Sequence, residues 1–519
     1  MGWLNRINPT PSFPAYTGPY KVGSVDVELP TPQLESPGPS ASPCTNLPTV
    51  AFRIFYPARH ESTQRGVKWL PSPQREFVGA YARFLGAGNA FSQFFSVVPQ
   101  MLFYINIPVH HNADILEPPT KTKQWPVMVF SHGLGGSRNA YSHICASLAS
   151  HGLVVVAPDH RDGSAPISFV HTSEEKEKLK RVEYKRVPHQ ASTETYEARD
   201  EQLRIRLWEL GLIHDALLKI DERTPLKNVA EDQKKNAGKD MLTMFAHTLS
   251  VHEPGAISWA GHSFGAATMV QLVKSTYYRP STEQPDYRPL FTPSETSSIV
   301  RQITPNTPVL LLDLWTLPIQ SPSTTWLRSK PMPCYDSPTS GGSHLLAILS
   351  EAFYKWSANL NDTKRIVAKP VHASPSQPGP HIFYPVSSAH LSQSDFGVLL
   401  PWITTKIFGA KEPERVLRLN ARAMLQVLRD AGIEVANTSA LDMEVKEAKG
   451  EDRSVARDEK ILSRSADDVR GWVALDTEAS ASASEKVEKG PADAMVEGEV
   501  LGQVVSNEER DSERSGNNM

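Results

Sequence analysis

The chain has 519 residues, of which 39% are hydrophobic, and a formal net charge of −3 at neutral pH. This length can bury a large core, and the near-neutral charge excludes a nucleic-acid-binding protein. The three cysteines have no C-x-x-C spacing and are too few for a disulfide framework or a zinc cluster. We therefore expect ordinary thiols in a reducing compartment.

The N-terminal sequence MGWLNRINPTPSFPAY lacks the apolar core of a secretory signal. No uninterrupted apolar run approaches the roughly 20 residues that a membrane-spanning helix needs. These two observations predict a cytoplasmic protein, and they leave peripheral contact with a membrane surface open.

The sequence predicts three regions. Residues 1–45 are rich in Pro and Ser and include one edge strand, which we expect to pair antiparallel with a strand over 49–57. Residues 46–435 form the main domain. Residues 436–519 are rich in Glu, Asp, Ser, Ala and Lys and cannot bury enough apolar surface to offset the entropy of ordering, so we predict a disordered acidic tail.

Residues 84–109 are dense in Phe, Met, Leu and Ile and almost free of charge. One interpretation is a core or lid helix packed over the sheet. The other is an apolar surface that contacts lipid or an acyl chain. The candidate contacts in that case are Phe91, Phe94, Phe95, Leu102 and Phe103.

Strands and helices alternate through the main domain. A strand over 127–130 is followed by a helix over 141–151 and a strand over 153–157. A charged segment, 171–200, is expected to be solvated, and a long helix with leucines on one face follows it. This rhythm predicts parallel strands joined by right-handed crossovers.

The stretch GAISWAGHSFGAATM, residues 255–269, contains an apolar strand, a sharp turn with Ser263 at its apex, and a helix of small residues. Gly261 and Gly265 flank the serine, where any side chain would collide with the strand or the helix. G-x-S-x-G alone is only moderately specific, but this context predicts a nucleophilic serine exposed at the carboxyl edge of a parallel sheet.

Two later strand ends carry the expected partners of that serine. Asp313 follows the apolar strand 308–312, where an acid that orients a histidine belongs, and His390 lies in the loop after the last strand, 381–386. The order Ser263, Asp313, His390 is the order of the α/β-hydrolases. The alternatives are a turn or helix-capping role for Asp313 and a surface position for His390.

The glycine-rich turn 131–136 follows the strand 127–130 and begins Ser-His-Gly. We expect the N–H of Leu134, together with that of Phe264, to form an oxyanion hole; the alternative is a plain loop. The polar turn 159–162 precedes the serine in the chain, so we predict that its His and Asp residues are structural. No metal or organic cofactor is required by this arrangement.

Six segments of the chain form a combination much more specific than G-x-S-x-G alone. They are TGPYKVGSVDVEL at 17–29, FSHGLGGSR at 130–138, LASHGLVVVAPDHRDGSA at 148–165, RDEQLRIR at 199–206, GHSFGAAT at 261–268 and LDLWTLP at 312–318. Together they resemble the platelet-activating factor acetylhydrolases, the calcium-independent plasma and type II intracellular enzymes. The resemblance covers residues 16–432. Around His390 the match is confined mainly to the histidine and the Asp-Phe pair at 395–396.

The resemblance implies an α/β-hydrolase fold, with a mostly parallel central sheet flanked by helices. It also implies Ser263 as nucleophile, His390 as base, Asp313 as acid, and the amides of Leu134 and Phe264 as oxyanion hole. The implied substrate is the short or oxidised sn-2 acyl ester of a phospholipid, such as platelet-activating factor. The alternatives are a general short-chain carboxylesterase and a non-catalytic binding protein with the same fold.

Overall fold

A computed structural model provides the structure of the chain. It describes residues 11–39, 47–84, 101–172, 179–230, 240–280, 282, 284, 286–444, 457–465 and 468–477. The candidate lipid contacts Phe91, Phe94 and Phe95 lie outside these residues.

The described residues form strands and helices that alternate through the middle of the chain. The strands are β1 (Lys21–Pro30), β2 (Thr49–Ala58), β3 (Val67–Lys68), β4 (Asn106–Ile107), β5 (His110–His111), β6 (Trp125–Ser131), β7 (Val154–Pro158), β8 (Ile167–His171), β9 (Leu179–Glu183), β10 (Leu249–Ser250), β11 (Ile257–His262), β12 (Val309–Leu312), β13 (Leu345–Ile348), β14 (His381–Pro385) and β15 (Trp472–Ala474). The helices are α1 (Gln74–Phe84), α2 (Ser142–Ser150), α3 (Thr193–Asp221), α4 (Phe264–Tyr277), α5 (Ser298–Gln302), α6 (Thr325–Arg328), α7 (Glu351–Lys355), α8 (Ser357–Val367), α9 (Asp395–Leu399), α10 (Pro401–Phe408) and α11 (Pro413–Asp430).

One large sheet organises the molecule, with the order β15-β14-β13-β12-β11-β6-β7-β2-β1-β5 and β10 paired beside β6. The strands from β14 to β7 along this order are parallel to their neighbours. β2 pairs antiparallel with both β7 and β1. The carboxyl ends of β6, β11, β12, β13 and β14 therefore meet at one edge, where a parallel sheet carries its site.

The buried strands place alternate side chains in two separate cores. Val127 and Val129 of β6 belong to the core under α3 and α4. Met128 and Phe130 belong to the core under α2 and α11. Both faces of the sheet are thus covered by helices, which explains why its strands are nearly continuous apolar runs. Among the described residues, no helix is both long and apolar enough to cross a bilayer.

The N-terminal strand β1 belongs to this same sheet. Its pairing with β2 runs from Lys21 opposite Ala58 to Pro30 opposite Thr49, which is the antiparallel pair expected from the sequence. β1 is not the outermost strand of the sheet, because the two-residue strand β5 pairs with the side of β1 that faces away from β2. The segment before residue 46 therefore contributes to the main domain.

Part of the predicted disordered tail is packed onto the main domain. β15 pairs antiparallel with β14, and the indole Nε1 of Trp472 donates to the carbonyl of Ile461 at 2.8 Å. Ile461 and Trp472 are both buried, and Arg422 of α11 forms an ion pair with Asp458. The prediction of disorder from residue 436 is therefore wrong for 457–465 and 468–477, because two apolar anchors and one ion pair offset the entropy of a charged segment.

The charged segment 171–200 also has more structure than its composition indicates. β8 and β9 form a separate antiparallel hairpin, with Ile167 opposite Glu183 and His171 opposite Leu179. The side chains of β9 are mostly exposed, which is why composition alone suggested a solvated loop.

The described part of the apolar segment 84–109 alternates between buried residues and exposed ones such as Tyr104, which is 67% exposed. Leu102 is buried in the core under α2, and Phe103 is partly buried against the same core. The burial of Leu102 removes it as an exposed lipid contact and favours the interpretation of this end as core. Cys145 and Cys334 are buried free thiols, and Cys44 lies outside the described residues.

Candidate active site

Ser263 occupies the turn between β11 and α4, with φ of 57° and ψ of −118°. A positive φ is strained for a residue with a side chain and costs about 1–3 kcal/mol. The two flanking glycines permit this turn: a Cβ on Gly261 would lie 2.5 Å from the carbonyl of Gly265, and one on Gly265 would lie 2.0 Å from the carbonyl oxygen of Ser131. The sharp strand-to-helix turn predicted from the sequence is therefore present.

Asp313 and His390 form a hydrogen-bonded pair at the same edge of the sheet. His390 Nδ1 donates to Asp313 Oδ2 at 2.7 Å, and both side chains are buried. Asp313 directly follows β12 and also has a positive φ, 42°. Its other carboxylate oxygen, Oδ1, accepts the backbone N–H of Ser350 at 2.5 Å. The acid is thereby fixed from two sides.

The imidazole of His390 lies between two rings. Phe353 stacks on one face with ring centroids 4.5 Å apart and an interplanar angle of 9°. His262, the residue before Ser263, lies on the other side with centroids 4.3 Å apart. The ring is held in orientation by these contacts and by the hydrogen bond of Nδ1, which leaves Nε2 as the nitrogen for proton transfer.

His262, Asp313 and His390 also have their ligand-type atoms within 4.8 Å of one another, so they could in principle hold a metal ion. The rings of His262 and His390 are tilted by only 31° across a 4.3 Å separation. Imidazole lone pairs lie in the ring plane. The lone pairs of two rings at this small angle therefore point in similar directions and do not converge on one ion. The donor set therefore fits a hydrogen-bonded pair better than a metal centre.

Burial favours the neutral form of both partners. It lowers the pKa of His390 to about 3 and raises the pKa of Asp313 to about 7, although His262 and the hydrogen bonds from Ser350 oppose the change at Asp313. The neutral imidazole can accept a proton at neutral pH. The pair titrates as a unit, because its members are in direct contact.

We expect kcat/KM on a water-soluble ester to fall as the pH is lowered through about 7, since adding a proton to the Asp313–His390 pair removes the base. The direction follows from the raised pKa of Asp313: the active form exists above that pKa and is lost below it. A pH–rate profile from 5 to 9, corrected for spontaneous hydrolysis, measures this. A flat profile across this range would contradict the assignment of the pair.

The loop after β6 crosses directly above Ser263. A Cβ on Gly133 would lie 3.0 Å from Ser263 Cβ. The amide of Gly133 donates to the hydroxyl of Tyr141 at 3.2 Å, and that of Gly135 donates to the carbonyl of Ser164 at 2.8 Å. In the described part of the chain, the amide of Leu134 between them donates to no protein acceptor.

Phe264 is the first residue of α4, so its amide has no acceptor within the helix. The first turn of a helix presents such amides and the positive end of the helix dipole. Both predicted donors therefore lie close to Ser263 in the chain or in space: Leu134 is next to Gly133 in the loop that approaches the serine, and Phe264 directly follows the serine.

Arg206 of α3 joins the elements that carry these donors, and the sequence analysis missed it. Its guanidinium donates to Asp162 Oδ2 at 2.7 Å, to the carbonyl of His132 at 2.8 Å and to Ser164 Oγ at 2.5 Å. It also lies 4.3 Å from the ring centroid of Phe264. One fully buried cation thus holds the loop after β6, the loop after β7 and the start of α4.

Arg206→Met is expected to lower the free energy of unfolding by about 3–5 kcal/mol, because it leaves the buried carboxylate of Asp162 without its cation. Chemical denaturation followed by circular dichroism measures the loss. Arg75→Met on α1 is the control, since Arg75 is exposed, and we expect a change within about 0.5 kcal/mol. Equal losses in the two variants would show that the Arg206 contacts do not stabilise the fold.

A second serine–histidine–carboxylate set lies beside the first. His160 Nε2 is 2.9 Å from Ser131 Oγ, and His160 Nδ1 is 2.7 Å from Glu209 Oε2. Ser131 and His160 have no exposed surface and Glu209 is 2% exposed, so no substrate reaches them. Their position supports the prediction that the turn 159–162 is structural, because the set joins the ends of β6 and β7 to α3.

Asp395 anchors the loop that carries His390. Its carboxylate accepts the amides of Ser142 at 3.0 Å and His143 at 2.9 Å, and so caps the start of α2 from a distant part of the chain. It also accepts the indole Nε1 of Trp69 at 3.0 Å. The Asp-Phe pair was visible in the sequence, but its role depends on a tertiary contact that no local pattern shows.

A serine at a strained strand-to-helix turn, with a buried Asp–His pair at the same edge of a parallel sheet, is the arrangement of the α/β-hydrolases. The chain has this fold, as predicted. A family model described as "Platelet-activating factor acetylhydrolase, isoform II" matches residues 6–451. The chain belongs to this family and is an ester-hydrolysing enzyme, which removes the alternative of a non-catalytic binding protein.

Among its relatives, a putative phospholipase A2 of Schizosaccharomyces pombe is 28% identical over 455 residues, which are 81% of this chain and 92% of that protein. The platelet-activating factor acetylhydrolase of Cavia porcellus is 30% identical over 267 residues, 50% of this chain and 52% of its own length. The similarity thus spans about half of that acetylhydrolase.

A ferulic acid esterase from Streptomyces cinnamoneus is a similar solved structure. It covers 90% of this chain and 99% of its own, with a TM-score of 0.44 and 14% sequence identity.

Proposed function

We propose that the enzyme hydrolyses the short or oxidised sn-2 acyl ester of glycerophospholipids such as platelet-activating factor, with Ser263, His390 and Asp313 as catalytic triad. The observation that carries the proposal is the 2.7 Å hydrogen bond of the buried Asp313–His390 pair. Family membership and the names of the relatives support the substrate class.

In the proposed reaction, His390 Nε2 accepts the proton of Ser263 as the serine oxygen attacks the sn-2 carbonyl carbon. Asp313 keeps the other ring proton on Nδ1 and stabilises the imidazolium. The amides of Leu134 and Phe264 donate to the oxyanion of the tetrahedral intermediate, and each such donor contributes about 10²–10³ in rate.

Collapse of that intermediate breaks the ester bond, and His390 returns the proton to the departing glycerol oxygen, so a lysophospholipid leaves. The acyl group remains on Ser263. A water molecule then gives a proton to His390 and attacks the acyl carbonyl, which releases the carboxylic acid and restores the serine. These steps use only the residues of the chain and water.

The packing around the serine supports a small acyl group. Ser263 and His390 are each only 5% exposed, and the ring of Phe353 stacks on the imidazole of His390. A short or truncated acyl chain fits such surroundings with less rearrangement than a long one.

Release of acetate from a 2-acetyl phospholipid, with calcium chelated, tests the proposal. It is compared with hydrolysis of a long-chain 2-acyl phospholipid and of nitrophenyl acetate. Fast acetate release with the long-chain lipid refused is the expected result. Turnover of nitrophenyl acetate alone would contradict the phospholipid substrate and favour a general short-chain esterase.

Helix α10 provides the candidate for peripheral membrane contact. It follows closely after the His390 loop and exposes Trp402 by 50% and Ile407 by 42%. Exposed aromatic and aliphatic side chains on a short surface helix suit the interface between water and lipid headgroups.

The buried free thiols Cys145 and Cys334 support a reducing compartment as part of this proposal.

Trp402→Ser with Ile407→Ser is expected to lower the rate on micellar or vesicle substrate about tenfold, because two apolar side chains no longer enter the interface. The rate on nitrophenyl acetate in solution is expected to stay near wild type. Val371→Ser is the control, since Val371 is 96% exposed in a different loop. The same loss on both kinds of substrate would argue against membrane contact through α10.

A further inference from the structure

A charged cavity of about 590 Å³ lies where β1, β2 and the end of β7 meet. Its volume is in the range of small-molecule sites. We call it the β1–β2 cavity. Its charged or ionisable lining residues are Asp26, Glu28, Arg53, Arg65, Lys68, His111, Arg138, Asp159, Arg161 and His171. None of these residues belongs to the active site described above.

Two buried ion pairs form the floor of the cavity. Arg53 donates from Nε and Nη2 to the two carboxylate oxygens of Asp26, its cross-strand neighbour, at 2.7 and 2.9 Å. Arg161 Nη2 donates to Glu28 Oε1 at 3.1 Å. The acids therefore orient the two guanidinium groups and prevent their side chains from turning away.

Two hydrogen-bond donor atoms of Arg161 are unsatisfied by the residues that the structure describes. It is 3% exposed, and within the described chain its Nε and Nη1 atoms have no hydrogen-bond partner. Buried guanidinium groups normally have their donors satisfied. Arg161 lines the cavity, so an anion bound there would lie against a guanidinium group whose donors are incompletely satisfied.

The charges of the lining favour an anion. Five cationic side chains, those of Arg53, Arg65, Lys68, Arg138 and Arg161, face three carboxylates. Both floor carboxylates are already engaged by arginines. Arg65 and Lys68 are exposed at the rim, where they can meet an incoming ligand.

The cavity lies at the same edge of the sheet as Ser263. Gly133, which crosses above the serine, is five residues before the lining residue Arg138, a stretch of chain that spans at most about 18 Å. β7, which leads into the lining residue Asp159, is separated from β11 by β6 alone, so two strand spacings amount to about 10 Å. The two places are therefore separated by no more than the length of an extended phospholipid.

We propose that the β1–β2 cavity binds a phosphate group, and that in the reaction this is the headgroup phosphate of the phospholipid. The second part rests on the proposed function. Arg161 and the rim cations Arg65 and Lys68 contact the phosphate oxygens. The rings of Phe77 and Phe169, 5.6 Å apart in the same lining, form an aromatic wall that suits the quaternary ammonium of a choline headgroup.

The first experiment compares kcat/KM on a monomeric 2-acetyl phosphatidylcholine analogue with kcat/KM on nitrophenyl acetate. In the double variant Arg65→Gln, Lys68→Gln, the ratio of the two constants is expected to fall about tenfold, through KM for the phospholipid. Arg75→Gln on α1 is the matched control. Arg75 is an exposed cation nearby that does not line the cavity, so the ratio should stay at the wild-type value.

The second experiment titrates the full chain with inorganic phosphate at constant ionic strength by calorimetry. The double variant is expected to raise the Kd for phosphate at least fivefold, and Arg75→Gln to leave it unchanged. This measurement does not depend on the enzymatic substrate. If the wild-type chain hydrolyses nitrophenyl acetate but no phospholipid, the proposed function fails, and the titration alone decides the phosphate site.

The outcomes separate the two sources of phosphate. A fall in both the kinetic ratio and phosphate affinity supports a headgroup site. If the double variant weakens phosphate binding but leaves the ratio of the two kcat/KM values unchanged, the cavity is a site for free phosphate. The assignment to the phospholipid headgroup is then overturned. The proposed site is overturned if Arg75→Gln changes the kinetic ratio and the phosphate affinity as much as the double variant does. It is also overturned if the double variant changes neither quantity.

Discussion

Ser263→Ala is expected to lower kcat on nitrophenyl acetate by about 10⁶-fold, because it removes the proposed nucleophile at the strained turn between β11 and α4. Some catalysis over the uncatalysed reaction should remain, since the amides of Leu134 and Phe264 still stabilise the oxyanion of a water attack. The serine hydroxyl has no role in helix capping here, so the fold should be unaffected. Stopped assays at high enzyme concentration, with denaturation curves in parallel, measure both quantities.

Ser131→Ala is the informative control. Ser131 also lies beside a histidine that contacts a carboxylate, at 2.9 Å from His160 Nε2, yet it is wholly buried. We expect its loss to change kcat by less than about tenfold. If Ser131→Ala abolished activity and Ser263→Ala did not, the nucleophile would be assigned to the wrong serine.

Asp313→Asn is expected to lower kcat by about 10⁴-fold. The carboxylate accepts the Nδ1 proton of His390 at 2.7 Å and so fixes the tautomer whose Nε2 can accept the serine proton. An asparagine amide can instead donate to Nδ1, which places the ring proton on Nε2 and blocks proton acceptance. The side chains are nearly isosteric, so packing around Phe353 and Ser350 is retained.

Single-turnover measurements on nitrophenyl acetate give the size of this effect, and a hydroxide-dependent rate at high pH is expected as the residual reaction. Asp336→Asn is the control, since Asp336 is an exposed acid outside the pair, and its kcat should match wild type. A loss of less than about tenfold in Asp313→Asn would show that His390 does not need this carboxylate.

The strand-to-helix turn at Ser263 and the strand-end position of Asp313 could be predicted from the sequence because their signals are local. Gly261 and Gly265 are required by contacts within a few residues of Ser263 or with the neighbouring strand, and Asp313 follows an unmistakable buried strand. His390 needed chain order as an additional argument. The parallel sheet was predictable for the same reason, since its strands are apolar runs bounded by turns.

The buried charges could not be predicted, because their partners are distant in the chain. Arg199 lies in the segment that we expected to be solvated, and Arg206 and Glu209 lie in the long helix predicted after it, yet all three are buried. Asp162, the partner of Arg206, is 44 residues away, and no periodicity connects the two. The sequence showed the charged residues but not the cost of burying them, which only their tertiary pairing offsets.

The contact of Ile461, Trp472 and β15 with the sheet has a consequence for any shortened form of the chain. Among the described residues, β15 is the strand that covers the outer side of β14, so a chain ended at residue 435 would present the open backbone donors and acceptors of β14 to the solvent. Such an edge is a template on which a second copy can add a strand. By covering this edge, β15 protects the enzyme from edge-to-edge aggregation at the strand that leads directly into the His390 loop.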